Sequence, residues 1–493
     1  MSSALGTAQL ATLANETALA GALRRTRAAQ RDWALRTLRE RCAVLRRLRS
    51  AVASHSAELV EAVQQSRPSE DAEILVSEIL PLADACKFVE KMAPDLLRSK
   101  RLGRKFRPLW LAGVELEIRR EPFGVVLILA PTNYPLMLPG IQAIQALAAG
   151  NAVLLKPGVG GSAAAKKLRS LAINSGVDPD LFVVLGESTE EAQAAISAGV
   201  DKILLTGSSH TGRAVLAAAA DKLTPVTAEL SGCDAVFVLP GADLTLVAKA
   251  LRFALGLNQS QTCMIPHRIL VHSSCADELL RKVLETTADL KIRLSASAAN
   301  TLRHLLDEAT RDGIEPVAGH LDADSVCSPL VFRDVPARSR FWRTDVFAPL
   351  LAFHTFSRIS MALEAYKECP YALGVSIFGG DAEARELATK INAGVVAIND
   401  IIVPTADPRL PLSGRGESGF GITRGAEGLL ELTRVKAISK RKSGYHHLDG
   451  RNENDAAMFT GYLRGAHSGD WRSRWHGMKA AMAAAKSRMK GTK

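Results

Sequence analysis

The sequence predicts an α/β fold made of two doubly wound α/β domains and a small β arm. Three observations carry that expectation. From Gly124 onward, short apolar runs alternate with helical stretches, the pattern of a parallel sheet covered on both faces. A second round of the same alternation starts near Ala235. Ahead of the first round, Trp110, Ala112, Val114 and Leu116 alternate with mostly polar neighbours within Leu109–Arg119, as in a hairpin or one strand of an arm.

Residues from about Ala18 to Arg101 read as several helices. Apolar residues recur there at spacings of three and four, as in Trp33, Leu35 and Leu38, then Val44, Leu45 and Leu48. Gly103 is a natural end for that run. In the first α/β round the strands are Val125–Ala130, Ala152–Lys156, Leu181–Leu185 and Lys202–Thr206. The helices are Leu136–Ala149, Ala163–Ser175, Glu190–Ala198 and Gly212–Ala220. The second round has strands near Ala235–Leu239, Arg268–Val271 and Val395–Asn399. Beyond Ser439 the chain turns polar, with Gly444, Gly450, Asn452 and Asn454, and reads as a linker to a basic tail.

Composition narrows the class. Hydrophobic residues at 47% and charged residues at 23% fit a soluble globular protein. No apolar run is long enough to span a bilayer. The first thirty residues place arginines after alanines, the reverse of a secretory leader, so a cytoplasmic location is expected. Seven scattered cysteines form no disulfide framework, and none has metal-site spacing; no metal is expected. The net charge is +11, and seven basic residues with no acidic one lie between Trp471 and Lys493. The body is then only mildly basic, which gives no case for a nucleic-acid partner.

Four segments place polar or nucleophilic residues where such folds bind ligands. Cys263, in Gln261-Thr262-Cys263, stands between a helix and the strand near Arg268. It is either a buried structural cysteine or a nucleophile whose thiol pKa is lowered locally. Glu229, in Ala228-Glu229-Leu230-Ser231-Gly232, is a carboxylate in an apolar setting, which calls for a partner or a purpose. Asn133, in Ala130-Pro131-Thr132-Asn133, follows the first strand and would either cap the next helix or face a ligand. Gly207-Ser208-Ser209-His210-Thr211-Gly212 links a strand to a helix and suits a pyrophosphate at the helix N-terminus.

Together these segments resemble the aldehyde dehydrogenase superfamily from about Trp33 to about Lys440. In the family's order come Asn133, Leu155-Lys156-Pro157, Thr206-Gly207-Ser208, Glu229-Leu230-Ser231-Gly232 and Gln261-Thr262-Cys263. Asp345-Val346-Phe347-Ala348-Pro349 and the glycine-rich run from Pro411 to Gly421 follow. The resemblance implies oxidation of an aldehyde to a carboxylic acid with NAD or NADP. Cys263 would be the nucleophile and Glu229 the general base, with Asn133 and the backbone N–H of Cys263 as oxyanion hole. Lys156 would hold the adenosine ribose, Ser208 with Gly207 and Gly212 the pyrophosphate, and Thr132, Asp345 and Phe347 other parts of the cofactor. The implied domains are a cofactor-binding one from residues 1–102 and 122–233 and a catalytic one from 234–425. Residues 103–121 and 426–440 would make an arm that joins a homodimer or homotetramer. A linker and tail from 441–493 remain.

The chain also departs from the family. Asp345 stands where a glutamate is usual, and Ser231, Ser260 and Ala348 replace common glycines. Gly158-Val159 replaces the usual Ser-Glu after Lys156-Pro157, which removes a charge that would repel a 2′-phosphate. Coenzyme A acylation, acyl-phosphate reduction and a non-catalytic binding role are the alternatives, and Glu229 argues against the first two. Tyr134, Leu136 and Met264 suggest an apolar aldehyde. In the tail, Trp471, Trp475, Met478, Met482 and Met489 share one helix face among basic residues. That face either attaches to a membrane or protein partner or packs within the molecule.

Overall fold

Val125–Leu129 is apolar at every position and buried throughout, which only a central strand covered on both faces allows. It lies inside a six-stranded sheet ordered Gly419–Phe420, Val226–Glu229, Lys202–Thr206, Val125–Leu129, Ala152–Lys156 and Phe182–Val184. All neighbours are parallel except Gly419–Phe420, which pairs antiparallel with Glu229 and Ala228. The chain enters at Val125, steps outward through two strands, then returns to the other side at Lys202. Adjacent strands whose connections diverge open a crevice at their carboxyl ends. Here that crevice lies beyond Leu129 and Thr206.

The computed structural model describes residues 2–443, 448 and 453–490. Its helix Met137–Ala149 is buried at all thirteen positions, because it is covered by the sheet on one side and by helices Leu38–Ser54 and Leu80–Leu96 on the other. The N-terminal helical region runs from Ser2, ahead of the expected start, and ends at Leu96. Gly103 is not its end: Lys100–Leu102 is a strand paired antiparallel with Leu116–Ile118. The basic run there has no periodicity of its own, so pairing partners decide its conformation.

The second sheet has seven strands, ordered Pro316–Ala318, Leu330–Phe332, Leu350–Phe356, Pro266–His272, Asp234–Val238, Gly374–Phe378 and Val395–Ile398. Only Pro316–Ala318 is antiparallel to its neighbour. Glu229 ends a strand of the first sheet and Asp234 begins one of the second, so residues 230–233 carry the chain between them. Cys263 precedes Pro266 at the amino end of the adjacent strand. The segment beyond the second sheet returns to the first. Gly419–Phe420 adds a strand there, and Leu429 and Leu432 join the core around Val125–Leu129. The sequence reading had put residues 419–425 with the second sheet and 426–432 with the arm. A two-residue strand in a glycine-rich segment carries no pattern that would have shown otherwise.

Residues Ser99–Arg119 and Ala437–Lys493 form a separate compact unit. It holds Lys100–Leu102, most of Val114–Pro122 and most of Thr433–Arg441, in that sheet order. It also holds the helices Asp455–His467 and Trp471–Lys490. Of the expected linker, Gly444, Gly450 and Asn452 lie outside the described residues, while Asp455–His467 is helical. Among the described residues no helix is long and apolar enough to cross a membrane.

Candidate active site

The crevice at the carboxyl ends of the first sheet opens into a cavity of about 460 Å³ that also reaches Cys263, Asp345 and Phe347, on segments that lead into strands of the second sheet. Thr132, Asn133, Lys156, Gly207, Ser208, Glu229, Cys263, Asp345 and Phe347 all line it. Gly212 does not. It is buried in the first turn of Ser209–Ala220, where a Cβ would lie 2.7 Å from the Leu230 side chain. Gly212 lets that helix settle on Leu230, a packing role rather than a ligand contact.

The loop before Cys263 is held in an unusual conformation. Asn258, Gln259 and Ser260 have φ of 48°, 50° and 63°, a region that costs non-glycine residues energy unless their surroundings impose it. Side chains supply that imposition. Ser260 Oγ donates to Leu255 O at 2.6 Å, and Asn258 Nδ2 donates to Asn133 O at 2.8 Å. Asn133 Nδ2 in turn donates to Gln261 O at 2.8 Å, and Tyr134 Oη bonds Thr262 Oγ1 at 2.9 Å. An asparagine amide has two N–H groups, so Asn133 holds the Cys263 loop and keeps one donor for a ligand. Gly232 lies so near that a Cβ there would be 2.3 Å from Cys263 O.

Cys263 is partly exposed to the cavity. Its thiol pKa is pushed up, first by burial and then by the carboxylates of Glu229 and Asp234, with the Arg424 guanidinium acting the other way. This corrects the expectation of a locally lowered thiol. Glu229 and Asp234 flank the link between the two sheets, and only the fold brings that link to the Cys263 loop. Glu229 is buried; its Oε2 accepts from Thr423 Oγ1 at 2.8 Å, while its Oε1 has no hydrogen-bond partner. A buried carboxylate oxygen without a partner is costly, and one aimed at a cavity is equipped to bind and activate a water. Asp345 is raised to about 6 by burial against a bond from Ser231, and its Oδ1 is also without a partner. Ser231, in place of the usual glycine, thus gives the shorter Asp345 an anchor.

The other end of the cavity suits a dinucleotide. Ser208 caps Ser209–Ala220, its Oγ accepting from Thr211 N at 3.1 Å, so its side chain shapes the helix N-terminus. Gly158 permits the turn after Lys156 to press on the first crossover, since a Cβ would fall 2.3 Å from Pro131 O. Val159 is exposed. Glu187 was missed by sequence reasoning. It accepts from Gly160 N at 2.7 Å and Ser162 N at 2.9 Å, at the start of Ser162–Asn174. Bonds from the Ser162 side chain and Gly160 N–H, aided by Lys156, hold its carboxyl below the usual range.

Glu78 was missed as well. This buried carboxylate accepts from Leu136 N at 3.2 Å and Met137 N at 2.6 Å, capping Met137–Ala149, and pairs with the buried Arg67 at 3.3 Å. It fixes the helix that follows Asn133, a role that local sequence offered to Asn133 itself.

Residues 5–438 match the Aldehyde dehydrogenase family. The chain belongs to that family. Among its relatives is the 4,4'-diapolycopene aldehyde oxidase of Methylomonas sp, 29% identical and covering 93% of each chain. The 4,4'-diaponeurosporen-aldehyde dehydrogenase of Staphylococcus aureus is 29% identical over 82% of this chain and 90% of its own. Among solved structures, a putative aldehyde dehydrogenase from Burkholderia cenocepacia superposes with a TM-score of 0.76 at 28% identity, covering 86% of this chain and 92% of that one. This dehydrogenase therefore oxidises an aldehyde to the carboxylic acid, with NAD or NADP as cofactor.

Proposed function

We propose that Cys263 is the nucleophile of this oxidation and Glu229 the base that releases the acid. The observation that carries this is the pairing, in one cavity, of a partly exposed thiol with a buried carboxylate whose Oε1 is unpartnered. Cys263 attacks the aldehyde carbon as a thiolate, its proton passing to water through the open side of the cavity. The developing oxyanion accepts from the second Asn133 N–H and from the backbone N–H of Cys263. Bound NAD(P) supplies the hydride acceptor, with Lys156, Ser208, Asp345 and Phe347 to hold it. Loss of hydride leaves a thioester on Cys263. Glu229 Oε1 then takes a proton from water as its oxygen attacks, and the acid departs as the sulfur is released.

The aldehyde is apolar in this reading. Beyond Cys263, the Met264 side chain helps line a second cavity of about 130 Å³ with Val395, Ile401, Ile402 and Leu410. Two relatives of the chain are named for 4,4'-diapolycopene aldehyde and 4,4'-diaponeurosporen-aldehyde. Each buried methylene adds about 0.8 kcal/mol. With about three to four of its methylenes buried, a ten-carbon aliphatic aldehyde is expected to exceed a short acidic one in kcat/KM by about a hundredfold, measured as NAD(P)H formed with the free acid as product. Equal efficiency for the two, or a product other than the free acid, would overturn the reading.

NADP is accepted as well as NAD. Val159 leaves no charge where the family's acidic residue would repel a 2′-phosphate, while Lys156, with Lys166 on the next helix, attracts one. Glu187 opposes this from the start of that helix. Glu187→Gln is expected to shift the ratio of kcat/KM values toward NADP by about tenfold, the order of one relieved like-charge contact. A wild-type preference for NAD beyond about a hundredfold, or no shift in the variant, would count against it. We also infer a cytoplasmic homodimer or homotetramer joined through the arm strands.

A further inference from the structure

The unit formed by Ser99–Arg119 and Ala437–Lys493 carries all the excess charge of the chain. It holds eighteen Lys and Arg against six Asp and Glu, a net +12, whereas the whole chain is +11 and the rest therefore −1. The sequence reading saw only the seven basic residues of the tail. Five more, Lys100, Arg101, Arg104, Lys105 and Arg107, crowd eight residues of the unit with no acidic residue among them. The two arm carboxylates are already paired, Glu115 with Lys442 and Glu117 with Arg119, each at 2.6 Å.

Large apolar side chains stand out among these charges. Phe106 is 92% exposed at a residue with φ of 62°, with Lys105 Nζ 5.1 Å from its ring. On the helix Trp471–Lys490, Trp471 is 72% exposed, Trp475 56% and Met482 65%. Arg472 lies 5.5 Å from the Trp471 ring and Lys479 5.0 Å from that of Trp475. This stripe is not the helix's packing face. The two helices touch through small residues: a Cβ on Gly461 would fall 2.5 Å from Ala481 N, and one on Gly477 2.4 Å from Gly465 N. The tryptophans are turned away from that contact. The side chain of Met489 lies outside the described residues.

We propose that this unit docks on an anionic lipid bilayer, with Phe106 and the Trp471–Trp475–Met482 stripe entering the interface and the surrounding Lys and Arg facing the headgroups. Tryptophan and phenylalanine set among cations are the composition of interfacial segments. The charge decides between occupants. An anionic surface complements the Lys and Arg around the stripe, and a nucleic acid would leave the exposed apolar side chains without use.

The test is sedimentation of the full chain with vesicles of phosphatidylglycerol and phosphatidylcholine, against phosphatidylcholine alone, at low and high salt. Binding is expected only with the anionic vesicles, to weaken with salt, and to shift tryptophan emission to the blue. Replacing Arg104, Lys105 and Arg107 by Gln should weaken it on the order of 100-fold, and Trp471→Ala with Trp475→Ala should remove the blue shift. Neither variant should alter kcat/KM on a water-soluble aldehyde, a readout that separates docking from the catalytic proposal. Equal binding to neutral vesicles would overturn the proposal. So would tighter binding to duplex DNA than to vesicles, or a change of oligomeric state in the tryptophan variant with vesicle binding unchanged.

Discussion

Cys263→Ala is expected to abolish aldehyde oxidation, lowering kcat/KM by about 10⁴-fold or more, because among the described residues no other thiol lines the cavity. The control is Cys233→Ala. Cys233 is fully buried beside Gly232, its Sγ directed at Trp342 O at 3.8 Å, and it does not line the cavity. Losing that sulfur removes packing but no reacting atom, so most activity should remain, with at most a modest loss of stability. Steady turnover in Cys263→Ala, measured as NAD(P)H formation with acid product, would end the proposed mechanism. Inactivity of Cys233→Ala with its fold intact would move the nucleophile.

The elements that sequence reasoning located well are those whose burial is written into local composition. Lys202–Thr206 has the bounds expected, because an apolar run covered on both faces can hardly be anything but a central parallel strand. The cavity residues were findable for a related reason. Thr132, Asn133, Gly207 and Ser208 sit just past strand ends, where α/β sheets leave their crevice, whereas Cys263, Asp345 and Phe347 precede strands and were legible from the order of the family's motifs. What stayed hidden depends on partners far along the chain. Glu78 caps a helix 59 residues later through Met137 N, and Thr423 reaches Glu229 across 194 residues. Gly419–Phe420 is a strand only because Val226–Glu229 offers it an edge. The direction of the Cys263 pKa belongs to the same class, since Glu229 and Asp234, on one link, and Asp345, from a distant segment, are brought to the thiol only by the fold. The charge of the arm unit was countable, yet its two halves are more than 300 residues apart and nothing local says they meet.

Glu229→Gln is expected to separate the two halves of the reaction. The thiolate, the oxyanion donors and the cofactor-holding residues remain, so the thioester should form and release about one NAD(P)H per site as a burst. Hydrolysis then lacks its base, and steady turnover should fall by about 10²- to 10⁴-fold. The same substitution has a second consequence with a definite sign. In the free enzyme the Glu229 charge is, after burial, the main group holding the Cys263 thiol pKa up. A neighbouring negative charge disfavours the thiolate, so neutral Gln should let it form at lower pH. The pH profile of Cys263 alkylation by iodoacetamide, measured without cofactor, should therefore move to lower pH in the variant while the slow hydrolysis persists. A structural role for Glu229 would not produce a burst together with that shift. If the variant turns over at the wild-type rate, Glu229 is not the base; if the burst is absent and the alkylation profile unmoved, Glu229 acts elsewhere than at Cys263.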